Sequence, residues 1–401
     1  MRLTPPPIRT HTRAAASAER KVTWLELFFD LVFVAAVAQV AEPLREHYTL
    51  AELTRFAPLF LLIWWAWTGR ALFSTRFESE DLAQRALTMI EMFAVAVMAA
   101  NARDSLASRS SAGFAAAYAG VRIILLVHYW RATAVREARG LSAVYLAGHG
   151  IAAVLWLLSS VVPLNLRLAL WLVAFLADLG TPWFTVDRTV HMPPHPSHLP
   201  ERFGLFTLIL LGESVVAVMK GIESQETWSP LAASAAFSGV ATLFGIWWWY
   251  FEGLKAAAER PVRSRRDAVR LHAWSYAHFP LYLGIVIIGV GIQRVVTHAT
   301  HEPLPPGDVL MWAAGVILLA GAGVVLRSTR PAAAFALRAS ARQAHRGVAS
   351  GPSTRSGPAR AQSRAGSSRK ATSIARMRSS GTSAGTSALD RSNARRPSSI
   401  D

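Results

Sequence analysis

The sequence contains no cysteine, and only 17% of its 401 residues are charged. Without cysteine the chain has no disulfide framework, no thiolate nucleophile and no cysteine ligand for a metal ion. Soluble domains carry about a quarter charged residues, so the scarcity of charge argues against a soluble protein. The sequence also lacks a phosphate-binding loop, a dinucleotide-binding fingerprint and a nucleophile elbow. We therefore expect that the protein is not an enzyme and uses no cofactor.

Long apolar blocks take the place of charge. Hydrophobic residues make up 52% of the chain. They fall in blocks of roughly 18 to 22 residues, each long enough to cross a hydrocarbon core of about 30 Å as a helix. The pattern predicts an all-α polytopic membrane protein with about ten transmembrane helices, whose first partner is the lipid bilayer. The predicted spans are 22–41, 56–73, 86–101, 113–130, 141–162, 166–186, 203–220, 231–252, 271–293 and 309–326.

The distribution of Lys and Arg predicts the orientation of these spans. With the N-terminus in the cytoplasm, the cytoplasmic segments hold 20 Lys and Arg residues as far as Arg330, and the outer segments hold 7. Positive residues favour the cytoplasmic side, so the N-terminus is predicted to lie there. Residues 1–21 are basic and run into the first span without a small-residue cleavage site. We interpret them as a cytoplasmic extension and not as a signal peptide.

Much of the formal net charge of +17 lies in the C-terminal tail, residues 328–401. Within this tail, residues 339–401 hold 12 Lys or Arg, 2 Asp and no aromatic residue. A segment of this Ser- and Arg-rich composition buries too little apolar surface to fold, so we predict a disordered basic tail. A solvated tail explains the charge, and we expect no specific nucleic acid partner.

A shift of the chain by 183 positions brings two features into register. Asp30 falls on Glu213, and the Trp-rich run 64–67 falls on the run 247–250. Two matches at one offset, separated by an even number of spans, predict two related halves in the same orientation, as in parallel-repeat transporters. Chance matching of apolar, Trp-rich segments is the alternative.

The two predicted halves differ in length. The first half covers residues 22–186 with about six helices, and the second covers residues 203–327 with about four. Counterparts of the fifth and sixth spans are missing after Arg327, where the basic tail follows. Either the second half ends after four spans, or the reading frame changes near Arg327, and the sequence leaves both explanations open.

Several ionisable residues lie inside the predicted spans. Glu26 and Asp30 are four residues apart in the first span and so share one helix face, and Glu213 lies near the middle of the seventh. Ionised groups at membrane depth need partners, and we expect Asp30 or Glu213 to pair with Arg70 or Arg122. The pattern indicates an ion or proton pathway or a polar substrate site, and buried pairs that only hold helices together are the alternative. Further such residues are Glu91, His128, His149, Asp178, Glu252 and His278.

The segment 187–202 combines three histidines, His191, His195 and His198, with four prolines. Histidine and glutamate side chains bind zinc, and Glu201 lies in the same segment. The prolines interrupt the helix that the usual i, i+4 ligand pair requires, and the segment does not match a zincin motif. We interpret it as a stiff connecting loop and predict no metal site.

Two longer strings resemble a known family. Residues 23–34 read TWLELFFDLVFV, and residues 198–206 read HLPERFGLF and continue to LGES at 211–214. Both strings resemble signatures of the bacterial low temperature requirement protein A family, and the resemblance covers roughly residues 20–327. It implies a multi-pass protein of the bacterial inner membrane that is linked by name to growth in the cold and has no established reaction. The motif members are Glu26, Asp30, Glu201, Arg202, Gly212 and Glu213.

Two functional hypotheses follow from these observations. In the first, the protein is transporter- or channel-like, and Asp30 and Glu213 line a polar site between two related halves that admits an unknown small solute or ion. In the second, it is a non-transporting scaffold or sensor involved in cold adaptation, and its acids only pair with arginines. Assembly into a homo-oligomer is open in both.

Overall fold

The computed structural model describes residues 9–10, 22–79, 81–106, 110–225, 229–254, 260–299 and 303–329. Almost all of this part is helical, and nine of its helical segments are long and apolar enough to cross a membrane. The chain is therefore an all-α polytopic membrane protein, as the apolar blocks predict. The predicted basic tail lies outside the described residues from 330 onward, as does all of the predicted N-terminal extension except residues 9–10.

Thirteen helices are present in the described part of the chain. They are α1 (Trp24–Val40), α2 (Glu42–Glu46), α3 (Leu50–Ser74), α4 (Leu82–Ala100), α5 (Ser110–Ala132), α6 (Arg139–Ser159), α7 (Leu164–Gly180), α8 (Val186–His191), α9 (His198–Glu223), α10 (Pro230–Trp248), α11 (Arg265–Tyr276), α12 (His278–Thr297) and α13 (Pro306–Ser328). A short 3₁₀ segment, Arg136–Ala138, precedes α6, and another, Thr181–Thr185, follows α7. A π-helical segment, Trp249–Leu254, continues α10. Two short strands, β1 (Arg9–Thr10) and β2 (Phe77–Glu78), pair in antiparallel fashion.

Each of the ten predicted spans coincides with helix, but α1 differs from the others. It has 17 residues, which corresponds to roughly 26 Å at 1.5 Å per residue and matches the lower limit for a spanning helix. After Ala41 the chain continues directly into the short helix α2. The nine longer apolar segments in the described residues correspond to the remaining predicted spans.

The predicted span 271–293 is broken in the structure. The helix α11 ends at Tyr276, and α12 begins at His278. Pro280 explains the break, because proline has no N–H to donate and its ring clashes with the carbonyl of the residue four positions earlier, Tyr276. The predicted loop 187–202 is also shorter than expected. Its first residues belong to α8, and its last residues form the first turn of α9, where Pro200 is tolerated.

Two helices form the centre of the bundle. All residues in 62–74 of α3 and in 281–292 of α12 are buried, which is expected of helices surrounded by protein. α12 packs on α9, α10 and α13. At Gly284 an added Cβ would lie 2.9 Å from the carbonyl oxygen of Gly315 on α13. Only glycine permits this approach of the two backbones, as is common between membrane helices.

Large apolar side chains cover the outside of the bundle. They belong mainly to α4, α6, α7, α10 and α13. An apolar exterior is expected of a protein whose solvent is lipid. The most exposed aromatic examples within these helices are Phe237, Phe93 and Trp248.

The contacts of α1 with α9 bear on the predicted repeat. Asp30 on α1 lies beside Arg202 on α9. The Arg45 guanidinium bonds both Glu213 and the carbonyl oxygen of Ala38, so Glu213 lies near the level of Ala38, roughly 12 Å beyond Asp30 along the helix. A two-fold axis along the membrane normal would place equivalent residues at one depth. The depths therefore do not support the match of Asp30 with Glu213, and the two-half organisation stays a prediction.

Candidate functional site

The first turn of α1 is fixed by a capping box. The backbone N–H of Glu26 donates to the Thr23 hydroxyl at 3.2 Å, and the backbone N–H of Thr23 donates to the Glu26 carboxylate at 3.0 Å. This reciprocal pair satisfies N–H groups that the start of a helix leaves without partners. It also holds Glu26 one turn before Asp30, so that both carboxylates face α9.

Arg202 of α9 joins both carboxylates. Its Nε donates to Asp30 Oδ2 at 3.1 Å, and its Nη2 donates to Asp30 Oδ1. Its Nη1 donates to Glu26 Oε1 and to the Ser74 hydroxyl, each at 3.1 Å. Arg202 and Asp30 are fully buried. We call Glu26, Asp30 and Arg202 the α1–α9 ion cluster.

Two further side chains complete the cluster. Trp67 of α3 donates its indole N–H to Asp30 Oδ1 at 2.7 Å. The ring nitrogen Nε2 of His198 lies 3.3 Å from Glu26 Oε1. Asp30 thus accepts three hydrogen bonds, two from the charged Arg202 guanidinium and one from the neutral Trp67 indole. A carboxylate in a low-dielectric interior requires such partners. Neither Arg202 nor Trp67 was expected as a partner of Asp30.

Arg70 belongs to a second buried group. Its Nε lies 3.2 Å from Glu91 Oε2, and its Nη2 donates to the Thr88 hydroxyl at 3.2 Å. His128 Nε2 is 3.9 Å from the same Glu91 oxygen. Within the described residues, Arg70 Nη1 and Glu91 Oε1 are buried without a hydrogen-bond partner. An unsatisfied buried polar group of this kind costs about 1–3 kcal/mol.

Arg122 belongs to a third buried group. Its Nε lies 2.8 Å from Asp178 Oδ2 on α7, and its Nη2 donates to the Tyr118 hydroxyl at 2.6 Å. Asp178 also contacts His149 Nδ1. The predicted pairing of Asp30 or Glu213 with Arg70 or Arg122 is therefore wrong. The spans alone do not specify which helices are neighbours, and the two arginines find acids on α4 and α7.

Glu213 lies apart from all three groups. It accepts from Arg45 Nη2 at 2.7 Å, and Arg45 also bonds Glu42 at 2.9 Å. The Glu213 side chain is 25% exposed. The expected shared site of Asp30 and Glu213 is thus not formed. Among the other motif members, Glu201 lies 3.9 Å from His198 Nδ1, and a Cβ added at Gly212 would meet nothing within 4 Å.

A cavity of about 400 Å³ reaches the α1–α9 ion cluster. It is enclosed by the first turns of α1, α4 and α9, the end of α3 and strand β2. Phe77 and Glu78 of β2 line it and pair with Thr10 and Arg9 of β1, so the N-terminal strand lies beside the cavity. Its polar lining residues are Thr23, Glu26, Arg70, Ser74, Glu78, Ser79, Gln84, Arg85, Thr88 and Arg202. Two of the predicted site residues, Glu26 and Arg70, therefore share this cavity with the motif residue Arg202.

His195 of the connecting segment stabilises the turn before α9. The backbone N–H of His198 donates to His195 Nδ1 at 3.3 Å, and the Ser197 hydroxyl lies 3.2 Å from the same nitrogen. These contacts hold the turn that leads into α9. Across the described ranges, no three His, Asp or Glu side chains are grouped so as to hold a metal ion.

The comparison with protein families identifies the chain. The model of the bacterial low temperature requirement A protein (LtrA) family matches residues 21–351. The chain belongs to this family. The LtrA-like strings 23–34 and 198–206 lie on α1 and at the start of α9, so the two strings meet in the α1–α9 ion cluster. Glu26, Asp30 and Arg202 come together there, whereas Gly212 and Glu213 lie further along α9.

One relative of this LtrA chain is an uncharacterized protein of Rhizobium meliloti (strain 1021). The two proteins are 26% identical over 307 residues, which cover 70% of this chain and 71% of the relative. No solved structure matches the chain. The name of this relative states no activity, and the geometry of the site is the basis for a functional proposal.

Proposed function

We propose that this LtrA protein is a transporter- or channel-like membrane protein and that a small polar solute or ion enters the cavity beside Arg202. The observation that carries the proposal is the access that the cavity provides to Glu26, Arg70 and Arg202. Ion pairs that only join helices need no such access, whereas a solute site does. A volume of about 400 Å³ lies within the usual range for small-molecule sites.

This proposal revises the site that the sequence predicts. Glu213 lies near the level of Ala38 and pairs with Arg45, so we leave it out of the site. Glu26 and Asp30 remain, held by Arg202, and Arg70 joins them through the cavity wall. Under the predicted orientation the cavity opens toward the cytoplasm, because α1, α4 and α9 begin at this end. The bacterial inner membrane and the cytoplasmic N-terminus are part of the proposal.

Aromatic packing lies next to the cluster. The Trp67 ring, whose N–H binds Asp30, packs on Phe203 and Phe206 with ring centroids 4.9 and 4.3 Å apart. Passage of a solute between α1, α3 and α9 requires these rings to separate. We therefore propose alternating access, in which the Trp67 packing opens after the cavity is occupied.

The absence of native cysteine permits a direct test. Ser79→Cys introduces a thiol beside the cavity, and a bulky methanethiosulfonate reagent attached to it narrows the entrance. The control is Ser328→Cys at the exposed end of α13, which is not among the described residues that line the cavity. The protein is reconstituted in liposomes and tested with acetate, succinate, phosphate, glycine, potassium and protons. We expect flux of at least one probe, lowered about tenfold by labelling of the Ser79→Cys variant alone.

Two results would contradict the proposal. One is that none of the probes moves faster than through empty liposomes. The other is that labelling lowers flux equally in the Ser79→Cys and Ser328→Cys variants, since the block would then not act through the cavity.

A scaffold or sensor involved in cold adaptation is the second candidate. The observation that favours it is the complete pairing of Asp30 with Arg202 and Trp67, which is the arrangement of a structural contact. It predicts that Asp30→Arg combined with Arg202→Asp restores the folding that either single change impairs, and that no probe is transported. Two expectations stay predictions: the protein is not an enzyme, and it binds no specific nucleic acid. Its assembly into a homo-oligomer stays open.

A further inference from the structure

We propose that the solute bound in the cavity is a small oxyanion, such as a carboxylate or a phosphate, and that Arg70 binds it. This inference names the substrate class of the proposed function and rests on it. The protein's own hydrogen bonds already use many of the polar groups at the cavity. A guanidinium N–H of Arg70 remains, and it can only donate.

Arg70 is held in place on several sides. Its Nε and Nη2 bond Glu91 and Thr88. Its guanidinium carbon lies 5.8 Å from the centre of the Phe29 ring and 5.5 Å from that of Phe73. Contacts with both aromatic rings restrict the orientation of the planar group. The remaining nitrogen, Nη1, is buried without a partner among the described residues, although Arg70 lines the cavity.

Two hydroxyls of the cavity wall already use their protons within the protein. The Thr88 hydroxyl accepts from Arg70 and donates to the Gln84 carbonyl oxygen at 2.8 Å. The Ser74 hydroxyl accepts from Arg202 and donates to the Ala71 carbonyl oxygen at 3.2 Å. An anion in the cavity would therefore take its hydrogen bonds from other donors, of which Arg70 is one.

Gln84 supplies a second donor. Its side-chain oxygen accepts from Arg131 Nη1 at 3.1 Å. Because arginine only donates, this bond requires the amide oxygen to face Arg131, and the amide NH₂ of Gln84 is left as a donor at the cavity. Arg70 Nη1 and the Gln84 NH₂ are thus two donors of residues that both line the cavity, and a carboxylate has one oxygen for each.

Net charge does not decide between an anion and a cation. Three arginines, Arg70, Arg85 and Arg202, and two glutamates, Glu26 and Glu78, line the cavity. Asp30 and Glu91 accept from Arg202 and Arg70 and offset part of this positive charge. The preference for an oxyanion therefore rests on the available donors and not on an excess of positive charge.

The test measures binding to the full-length protein in detergent. Sodium acetate, sodium succinate and sodium phosphate are the probes, and sodium chloride at matched ionic strength and choline chloride are the references. We expect at least one oxyanion to raise the unfolding temperature in a saturable way, whereas chloride and choline do not. Arg70→Lys keeps the positive charge but loses the forked donor pair, and we expect its dissociation constant for the probe to rise at least tenfold.

A second variant keeps the inference falsifiable if Arg70→Lys does not fold. Gln84→Met leaves the Arg70–Glu91 pair intact and is expected to weaken binding about threefold to tenfold. Arg55→Gln is the matched control, because Arg55 is exposed and its ion pair among the described residues is with Glu52 of its own helix. It is expected to bind the probe as the unchanged protein does.

The outcomes separate the inference from the proposed function. No stabilisation by any oxyanion, or equal binding in the Gln84→Met variant and the unchanged protein, overturns the inference. Binding that depends on Gln84 without flux in liposomes supports the inference and contradicts transport. Flux of potassium or protons without oxyanion binding supports transport and overturns the inference.

Discussion

Asp30 and Glu213 are both carboxylates within long apolar helices, and both pair with an arginine, yet their surroundings differ. Asp30 is fully buried and accepts two N–H groups of Arg202 and the indole N–H of Trp67. Glu213 is 25% exposed and accepts one hydrogen bond from Arg45. Arg45 also bonds Glu42. The two acids occupy matching positions in the sequence but play different parts in the structure.

The difference shows what an acid in an apolar run does and does not indicate. Such an acid indicates that a partner exists, because an isolated charge in hydrocarbon is costly. It does not indicate whether the partner lies in a dry interior or at a partly exposed edge. The number of bonds and the burial of the partner decide how much the fold depends on each acid.

The largest expected effect is that of Asp30→Ala. The change leaves the fully buried Arg202 with only Glu26 and Ser74 as acceptors, and breaking a buried pair costs about 3–5 kcal/mol. We expect the free energy of unfolding, measured by denaturant titration in mixed micelles, to fall by this amount. A loss below about 1 kcal/mol would mean that the Asp30 contact is no stronger than a surface ion pair.

Trp67→Phe should have an intermediate effect on the same cluster. It removes the N–H that binds Asp30 Oδ1 but keeps an aromatic ring against Phe203 and Phe206. A hydrogen bond to a charged group contributes about 1.5–3 kcal/mol, so we expect a loss of about 2 kcal/mol in the same titration. Additive losses in the double variant with Asp30→Ala would contradict the contact, since the two changes remove one shared bond.

Asp81 is a paired acid outside the membrane spans, and it extends the comparison of Asp30 with Glu213. It caps α4, accepting from the Gln84 N–H at 2.7 Å, and it pairs with Arg131. Burial raises the pKa of Asp81, but hydrogen bonds from Ser79, Gln84 and Arg131 outweigh this and hold the pKa below its ordinary value. Its folded pKa is thus below its unfolded pKa, so its contribution is complete above the unfolded value and is lost as pH falls through the folded value.

We therefore expect the stability difference between the unchanged protein and the Asp81→Ala variant to disappear in acid. At neutral pH the variant should be less stable by about 1 kcal/mol, the usual effect of losing a helix cap. Unfolding temperatures measured between pH 7 and pH 3, values chosen as roughly spanning the carboxyl range, provide the comparison. Parallel curves for the two proteins would refute the expectation.

The smallest effect is expected for Glu213→Gln. The amide keeps the shape of the side chain and an oxygen that accepts from Arg45, and partly exposed pairs contribute about 0–1 kcal/mol. We expect a change below about 1 kcal/mol in the denaturant titration and no change in oxyanion binding. An effect as large as that of Asp30→Ala would remove the distinction between the two acids.

The positions of the helices were predictable because lipid imposes a strong pattern. All ten predicted spans coincide with helix, since long apolar runs have no other stable form in a membrane. The ends were less predictable. Pro280 lies inside an apolar run and breaks it, whereas Pro200 lies in the first turn of α9 and is tolerated.

The partners of the charged residues were not predictable from the spans. The apolar pattern places Arg202 in a connecting loop outside the membrane and so does not predict it as a partner of Asp30. One feature of the sequence does indicate this pairing. Asp30 lies in the first family string, and Arg202 lies in the second. Arg70 pairs with Glu91, and Arg122 pairs with Asp178. These pairings depend on which helices are neighbours in the bundle, and no local sequence pattern indicates that.

The contact of α12 with α13 at Gly284 has a consequence for biosynthesis. α12 leaves the ribosome before α13 is made, so its glycine-bearing groove first faces acyl chains. A flexible chain fills a narrow groove less completely than a helix backbone does, because close packing provides the attraction between helices in lipid. Arrival of α13 displaces that lipid, so one face of a central helix is covered by protein only after a later helix has been made.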